Sequence, residues 1–110
     1  MVTFRLFIYL VFSGFSLSFI QAQSSTITGK IQDGQNQNIP FATVVIKSAI
    51  DSSLVKADIT TEEGLFTFVG VKPGKYFAEA SYIGYKDAVT NVFDANIPSI
   101  ELAPIVLEEN

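Results

Sequence analysis

From Thr26 onward, apolar and polar side chains change places at every second position in a series of short runs. In the first, Ile27 and Ile31 stand on one side and Thr26, Thr28 and Lys30 on the other. A period of two is that of an extended strand, whose side chains point alternately to two faces. Pro40 opens a β-branched run from Phe41 to Lys47 in which Ala42, Val44 and Ile46 share a face. Leu54 to Thr60 repeats the pattern, with Val55, Ala57 and Ile59 as its apolar side. Leu65 to Val69 carries Phe66 and Phe68 together, and Tyr76, Ala78, Ala80 and Tyr82 then alternate against Phe77, Glu79 and Ser81. Lys86 to Phe93 predicts a weaker strand and Ser99 to Leu102 a short one.

Turn chemistry separates these runs. Asp33-Gly34-Gln35-Asn36-Gln37-Asn38 is a polar turn cluster, and Ala49 to Ser53 reads as a loop. Thr61-Glu62-Glu63-Gly64 has the composition of a tight hairpin, a type I turn followed by a left-handed glycine. Val71-Lys72-Pro73-Gly74 predicts the next turn. Strands recurring about every ten residues, each apolar on one face and with no convincing helix between them, predict a β-sandwich. The expected architecture is all-β, a seven-stranded Greek-key sandwich with Ile27, Ile31, Val44, Ile46, Phe66, Phe68 and Tyr76 on its inner faces.

The first residues follow a different rule. Arg5 is the one early charge, and from Leu6 to Ile20 the side chains are dominated by Leu, Phe, Ile and Val. A positive start, an apolar run of about 15 residues and a small residue at the exit describe a secretory signal peptide, residues 1–22, cut after Ala22. A membrane-spanning helix is the competing reading, but it needs about 20 apolar residues, and Ser13, Gly14, Ser16 and Ser18 interrupt this run. No cysteine follows, which removes a lipid anchor at the cleavage site. The mature chain from Gln23 to Asn110 has 88 residues, enough for one small domain. The sandwich is assigned to residues 23–107, and 108–110 to the start of a linker or a truncated end.

Composition narrows the function further. Six lysines against eleven acids, with no arginine after Arg5, give the mature chain a charge of −5 and argue against nucleic acid as a partner. The chain has no histidine and no cysteine. An imidazole-based triad and the usual zinc ligand sets are therefore out of reach, and no glycine-rich phosphate loop occurs. No catalytic residue, metal or cofactor is expected. Glu62, Glu63 and Asp58 could supply calcium ligands, but their spacing is not that of a calcium loop, and a solvated turn explains them. Lys72 and Lys75 read as solvated flanks of a turn. Tyr82, Tyr85 and Phe93 are the candidate partner-binding residues. They form either, with Phe77 also outward, an aromatic platform for a sugar or peptide, or, for the two tyrosines, the anchor of a strand corner. An open edge strand could also take up an extended peptide.

Taken in order, Thr28-Gly29-Lys30-Ile31, Ile39-Pro40-Phe41-Ala42-Thr43-Val44, Thr61-Glu62-Glu63-Gly64-Leu65-Phe66, Pro73-Gly74-Lys75-Tyr76 and Tyr82-Ile83-Gly84-Tyr85 resemble the carboxypeptidase regulatory-like domain, a transthyretin-like sandwich. The similarity covers residues 25–107. The chain looks most like the version at the mature N-terminus of TonB-dependent receptors and outer-membrane β-barrel proteins of the Bacteroidetes type. That resemblance implies a non-catalytic accessory module, exported to the periplasm and associated with the outer membrane. Its implied partner is a protein of the cell envelope, or a plug and barrel following in the same chain; a glycan or peptide is the further possibility. A carbohydrate-binding module with a starch-binding-like fold is the alternative reading, favoured by outward aromatics in one plane. Transthyretin-like hydrolases rely on histidine and arginine, which the mature sequence lacks.

Overall fold

A computed structural model describes residues 23–110; the expected signal peptide lies outside the described residues. Among these residues there is no helix. Nine strand segments are present: β1 (Ser25–Asp33), β2 (Thr43–Ser48), β3 (Leu54–Ile59), β4 (Leu65–Val71), β5 (Gly74–Ser81), β6 (Ala88–Val89), β7 (Phe93–Ala95), β8 (Ser99–Glu101) and β9 (Ile105–Leu107). One sheet runs β4-β1-β8, with β9 also on β1; the other runs β3-β2-β5-β6, with β7 also on β5. The two sheets face each other across one apolar core.

The seven strands expected from the pattern become nine segments because one of them is interrupted and β9 is added after the last. Lys86 to Phe93, expected as one strand, is broken at Thr90–Val92 into β6 and β7. Thr90 explains the break. Its Oγ1 accepts the Ala78 N–H at 2.9 Å, and its own N–H bonds to the Ala78 carbonyl at 2.9 Å. A side-chain oxygen thus takes a ladder position that backbone would otherwise fill. On the other sheet, Leu102–Pro104 separates β8 from β9, and Pro104 has no N–H to give a ladder.

The inner faces carry Ile27, Ile31, Val44, Ile46, Phe66, Phe68 and Tyr76, all buried, joined by Val71, Ala78, Ala80 and Leu107. Strand β3 departs from the expectation. Its apolar positions Val55, Ala57 and Ile59 are exposed, with Ile59 at 60%. β3 is the edge of its sheet, so its inward positions meet the other sheet's edge instead of the core. There Asp58 Oδ2 accepts the Thr67 N–H of β4 at 3.1 Å. An acceptor turned inward at an edge occupies a backbone donor that another strand could otherwise use.

Two turns lock the corners that the sequence punctuates. Gly64 sits at φ 76°, and its N–H bonds to the Thr61 carbonyl at 2.9 Å, closing the expected tight turn. The turn makes no hairpin, however: β3 pairs with β2 in one sheet and β4 with β1 in the other, so it carries the chain from sheet to sheet. A Cβ at Gly64 would also stand 2.9 Å from Asn38 Cβ and 3.0 Å from the Ile31 carbonyl oxygen, so close approach demands glycine as much as the backbone angle does. Before β2, the Ile39–Ala42 turn is spanned by a side chain. Thr60, buried, donates from Oγ1 to the Ile39 carbonyl (2.9 Å) and accepts the Ala42 N–H (2.8 Å). One hydroxyl satisfies two buried backbone groups of the turn.

Candidate functional site

β5 ends in the turn Tyr82-Ile83-Gly84-Tyr85. The Tyr85 N–H bonds to the Tyr82 carbonyl at 3.0 Å, and Gly84 has φ 88°. Glycine with positive φ at the third position is the requirement of a type II turn. The turn brings the two tyrosine rings side by side, centroids 5.9 Å apart and planes 45° apart. Both are half-buried against the core. The chain end meets the same corner: the Lys86 N–H bonds to the Glu108 carbonyl (2.8 Å) and the Asn110 N–H to the Gly84 carbonyl (3.1 Å). Loss of hydration, then the Glu109 and Asp33 carboxylates and Tyr82, push the Tyr85 hydroxyl above its ordinary pKa.

Phe93 does not belong to this corner. It pairs with Tyr76 at the start of β5, ring centroids 6.4 Å apart, whereas Tyr82 follows the end of that strand. Six residues of strand, roughly 20 Å, separate the two positions. Phe93 lines another feature, an open groove of about 430 Å³ along the seam where the Thr90–Val92 break meets the Leu102–Pro104 connection and Ile105. The three candidates therefore form no single platform. The tyrosine hydroxyl that anchors a strand corner is Tyr76, whose O–H donates to the Lys72 carbonyl at 2.7 Å.

Two residues not singled out from the sequence join Tyr82. A hollow of about 350 Å³ is lined by Phe41, Thr43, Ser81, Tyr82 and Ile83. Phe41 is 60% exposed and Ile83 90%, so two large apolar side chains stand in solvent beside a tyrosine. Phe41 also adopts φ 59°, a conformation that costs an ordinary side chain about 1–2 kcal/mol. A signal for this was present in the sequence. Pro40 presets the first central position of a turn, and the residue after it takes the angle that glycine or asparagine prefers in type II.

The charged candidates are engaged or solvated. Glu62 and Glu63 are exposed on the β3–β4 turn, while Asp58 is turned to Thr67, so they form no common ligand set. Among the described residues no group of three acidic, histidine or cysteine side chains could hold a metal ion. Lys72 and Lys75 are exposed, with Lys75 Nζ 3.9 Å from Asp94. Lys47 and Glu79 form a partly buried pair at 2.8 Å on the outer face of the β3-β2-β5-β6 sheet. Among the exposed apolar side chains, which also include Ile50, Val69 and Val89, Phe41 and Ile83 stand out by sharing one hollow with Tyr82.

Known structures share the architecture. Chlorocatechol 1,2-dioxygenase from Pseudomonas putida superposes with a TM-score of 0.61 at 9% identity, covering 79% of this chain and 61% of that one. The shaft pilin SpaA from Lactobacillus rhamnosus GG gives 0.59 at 15% identity, over 83% of this chain and 49% of the pilin. The 5-hydroxyisourate hydrolase of Klebsiella pneumoniae gives 0.57 at 18% identity, over 83% of this chain and 93% of the hydrolase. This chain thus spans only part of the dioxygenase and pilin chains. At these identities the likeness is one of fold, an all-β, transthyretin-like sandwich. No curated protein matches the sequence. The family model for the carboxypeptidase regulatory-like domain matches residues 26–106, from the first residue after the start of β1 to the middle of β9. That span takes in the whole sandwich except the outermost residue of β1 and of β9, and the chain belongs to the carboxypeptidase regulatory-like domain family.

Proposed function

We propose that this domain is a non-catalytic accessory module of the bacterial cell envelope, working in the periplasm with an outer-membrane TonB-dependent receptor or β-barrel system. The family match over residues 26–106 carries the reading. The side-chain chemistry agrees with it. The sequence has neither histidine nor cysteine, and Asp58 and Thr60 are spent on backbone groups of the fold. The apolar start of the sequence supports export. Contact with a protein partner is assigned to Phe41, Tyr82 and Ile83, because these present apolar surface to water next to a phenol. A glycan platform is disfavoured by the 45° between the Tyr82 and Tyr85 planes and by the burial of Phe66, Phe68 and Tyr76.

Fractionated cell envelopes probed with an antibody against residues 25–107 test the location. Antigen in the outer-membrane or periplasmic fraction is the expected result; antigen confined to the cytoplasm overturns the proposal. Titration of soluble glycans, followed by tyrosine fluorescence since the chain has no tryptophan, addresses the carbohydrate alternative. Saturable quenching that Tyr82→Ala abolishes would replace the protein-partner reading with a carbohydrate-binding one.

A further inference from the structure

The first and last strands of the domain lie side by side and parallel. Thr26, Ile27 and Thr28 of β1 pair with Ser99, Ile100 and Glu101 of β8, and Ile31, Gln32 and Asp33 pair with Ile105, Val106 and Leu107 of β9, both in parallel register. Two further bonds, Thr26 N–H to the Pro98 carbonyl (2.9 Å) and Leu102 N–H to the Thr28 carbonyl (2.8 Å), bracket the upper patch. Because the strands are parallel, the chain enters at one end of this ladder and leaves at the other. A pull between the two ends therefore runs along the strands in opposite directions. Every β1–β8 and β1–β9 bond is loaded at once, in shear. An antiparallel terminal pair, with both ends on the same side, would open one bond at a time.

The rest of the fold reinforces this. β1 is held on its other side by β4, through pairs from Ser25↔Val71 to Lys30↔Leu65. Its side chains Ile27 and Ile31 are fully buried, as is Leu107 of β9. Past β9 the chain remains attached through Glu108 and Asn110 to the Gly84–Lys86 corner. Sliding β1 past β9 by one residue would turn the buried positions outward, because side chains alternate with period two. The resisting barrier thus combines simultaneous backbone rupture with exposure of the core.

We propose that the domain is mechanically anisotropic: tension applied between its two ends meets a shear clamp formed by β1 with β8 and β9. Forced unfolding is governed by the height of the unfolding barrier, so direction of pull matters even when equilibrium stability is unchanged. The inference does not depend on the location or partner proposed above.

The absence of cysteine allows two introduced thiols to serve as unique handles on the full chain. One form carries Ser24→Cys and Asn110→Cys, which pull along the clamp. The other carries Ser24→Cys and Asn96→Cys, which pull apart the same end of β1 and β8 and so peel them. All three positions are exposed, and Ser99→Cys, also exposed, replaces Asn96→Cys if that form folds poorly. Single-molecule force spectroscopy is expected to give end-to-end rupture in one step at a force severalfold above that of peeling. Denaturant midpoints of the two forms should agree. Equal rupture forces in the two directions, or stepwise low-force extension from end to end, would overturn the clamp.

Discussion

The ring of Phe66 fills the space that a side chain at Gly29 would need. The two residues are paired across β1 and β4, and a Cβ built on Gly29 would fall into the ring, 2.8 Å from its Cε2 and closer still to Cζ. Phe66 is 1% exposed, so the ring has no free volume into which to retreat. Position 29 lies on the inner face between Ile27 and Ile31, where a strand would ordinarily place a bulky residue. Glycine is required there for packing, since its backbone angle is unexceptional. Gly29→Ala is expected to destabilise the domain by about 1–3 kcal/mol, the usual range for overpacking. Thermal melts followed by far-UV circular dichroism should show a drop of about 4–8 °C per kcal/mol for a domain of this size. The Phe66→Leu background should recover part of the Gly29→Ala loss; strict additivity in the double-mutant cycle would argue against the contact.

Thr60 offers a test of a single hydroxyl. Thr60→Val keeps the shape but removes the group shared by the Ile39 carbonyl and the Ala42 N–H. Each buried group left alone costs about 1–3 kcal/mol. Chemical denaturation should therefore show a clear fall in midpoint with an unchanged slope, whereas Thr60→Ser should lie close to the parent. If Thr60→Val matched Thr60→Ser, the hydroxyl would not be what holds the turn.

Phe41 should be replaceable at a gain in stability. Glycine at φ 59° escapes the left-handed penalty, and the ring, 60% exposed, gives up little burial. Set against glycine's greater freedom in the unfolded chain, the expected outcome for Phe41→Gly is a stabilisation of up to about 1 kcal/mol. On the proposed partner surface, the strained and exposed Phe41 ring serves contact. Phe41→Gly should therefore raise the melting temperature while weakening whatever association Tyr82 and Ile83 support. A fall in melting temperature would show that Phe41 serves the fold instead.

Tyr85 sets an alkaline limit. Its pKa is raised in the folded state, first by desolvation and then by Glu109, Asp33 and Tyr82. A raised folded pKa means that the neutral phenol is the form the fold prefers. The associated stability is full below the unfolded value of about 10 and is lost as pH rises through the folded value. Wild type should lose stability above about pH 10 more steeply than Tyr85→Phe. Denaturant midpoints across that range, with phenolate absorbance recorded in parallel, provide the comparison. Parallel curves for the two proteins would remove Tyr85 as the cause.

Much of this could be read along the chain. The inner-face residues of β1, β2, β4 and β5 follow from a period of two, because adjacent side chains on a strand must point to opposite faces. The turn at Thr61–Gly64 and the corner at Tyr82–Tyr85 follow from glycine at the one position that needs positive φ, though that the first turn crosses between sheets instead of closing a hairpin does not. The candidate site was legible only in part. Tyr82 and Tyr85 were identifiable as a pair, but Phe93 stands at the other end of β5, and Phe41 and Ile83 reach Tyr82 from outside the expected set.

The sequence by itself determined an all-β chain, the spacing of its strands and the faces of those that reach the core. Each is a consequence of sterics within a few neighbouring residues. Tertiary structure alone decided the outward turn of Val55, Ala57 and Ile59, because an edge strand's burial depends on what lies beyond the edge. It also decided the fit of Phe66 over Gly29, the split at Thr90 and the parallel seating of β8 and β9 on β1. These rest on partners far apart in the chain, such as Thr26 and Ser99, whose meeting no local pattern encodes.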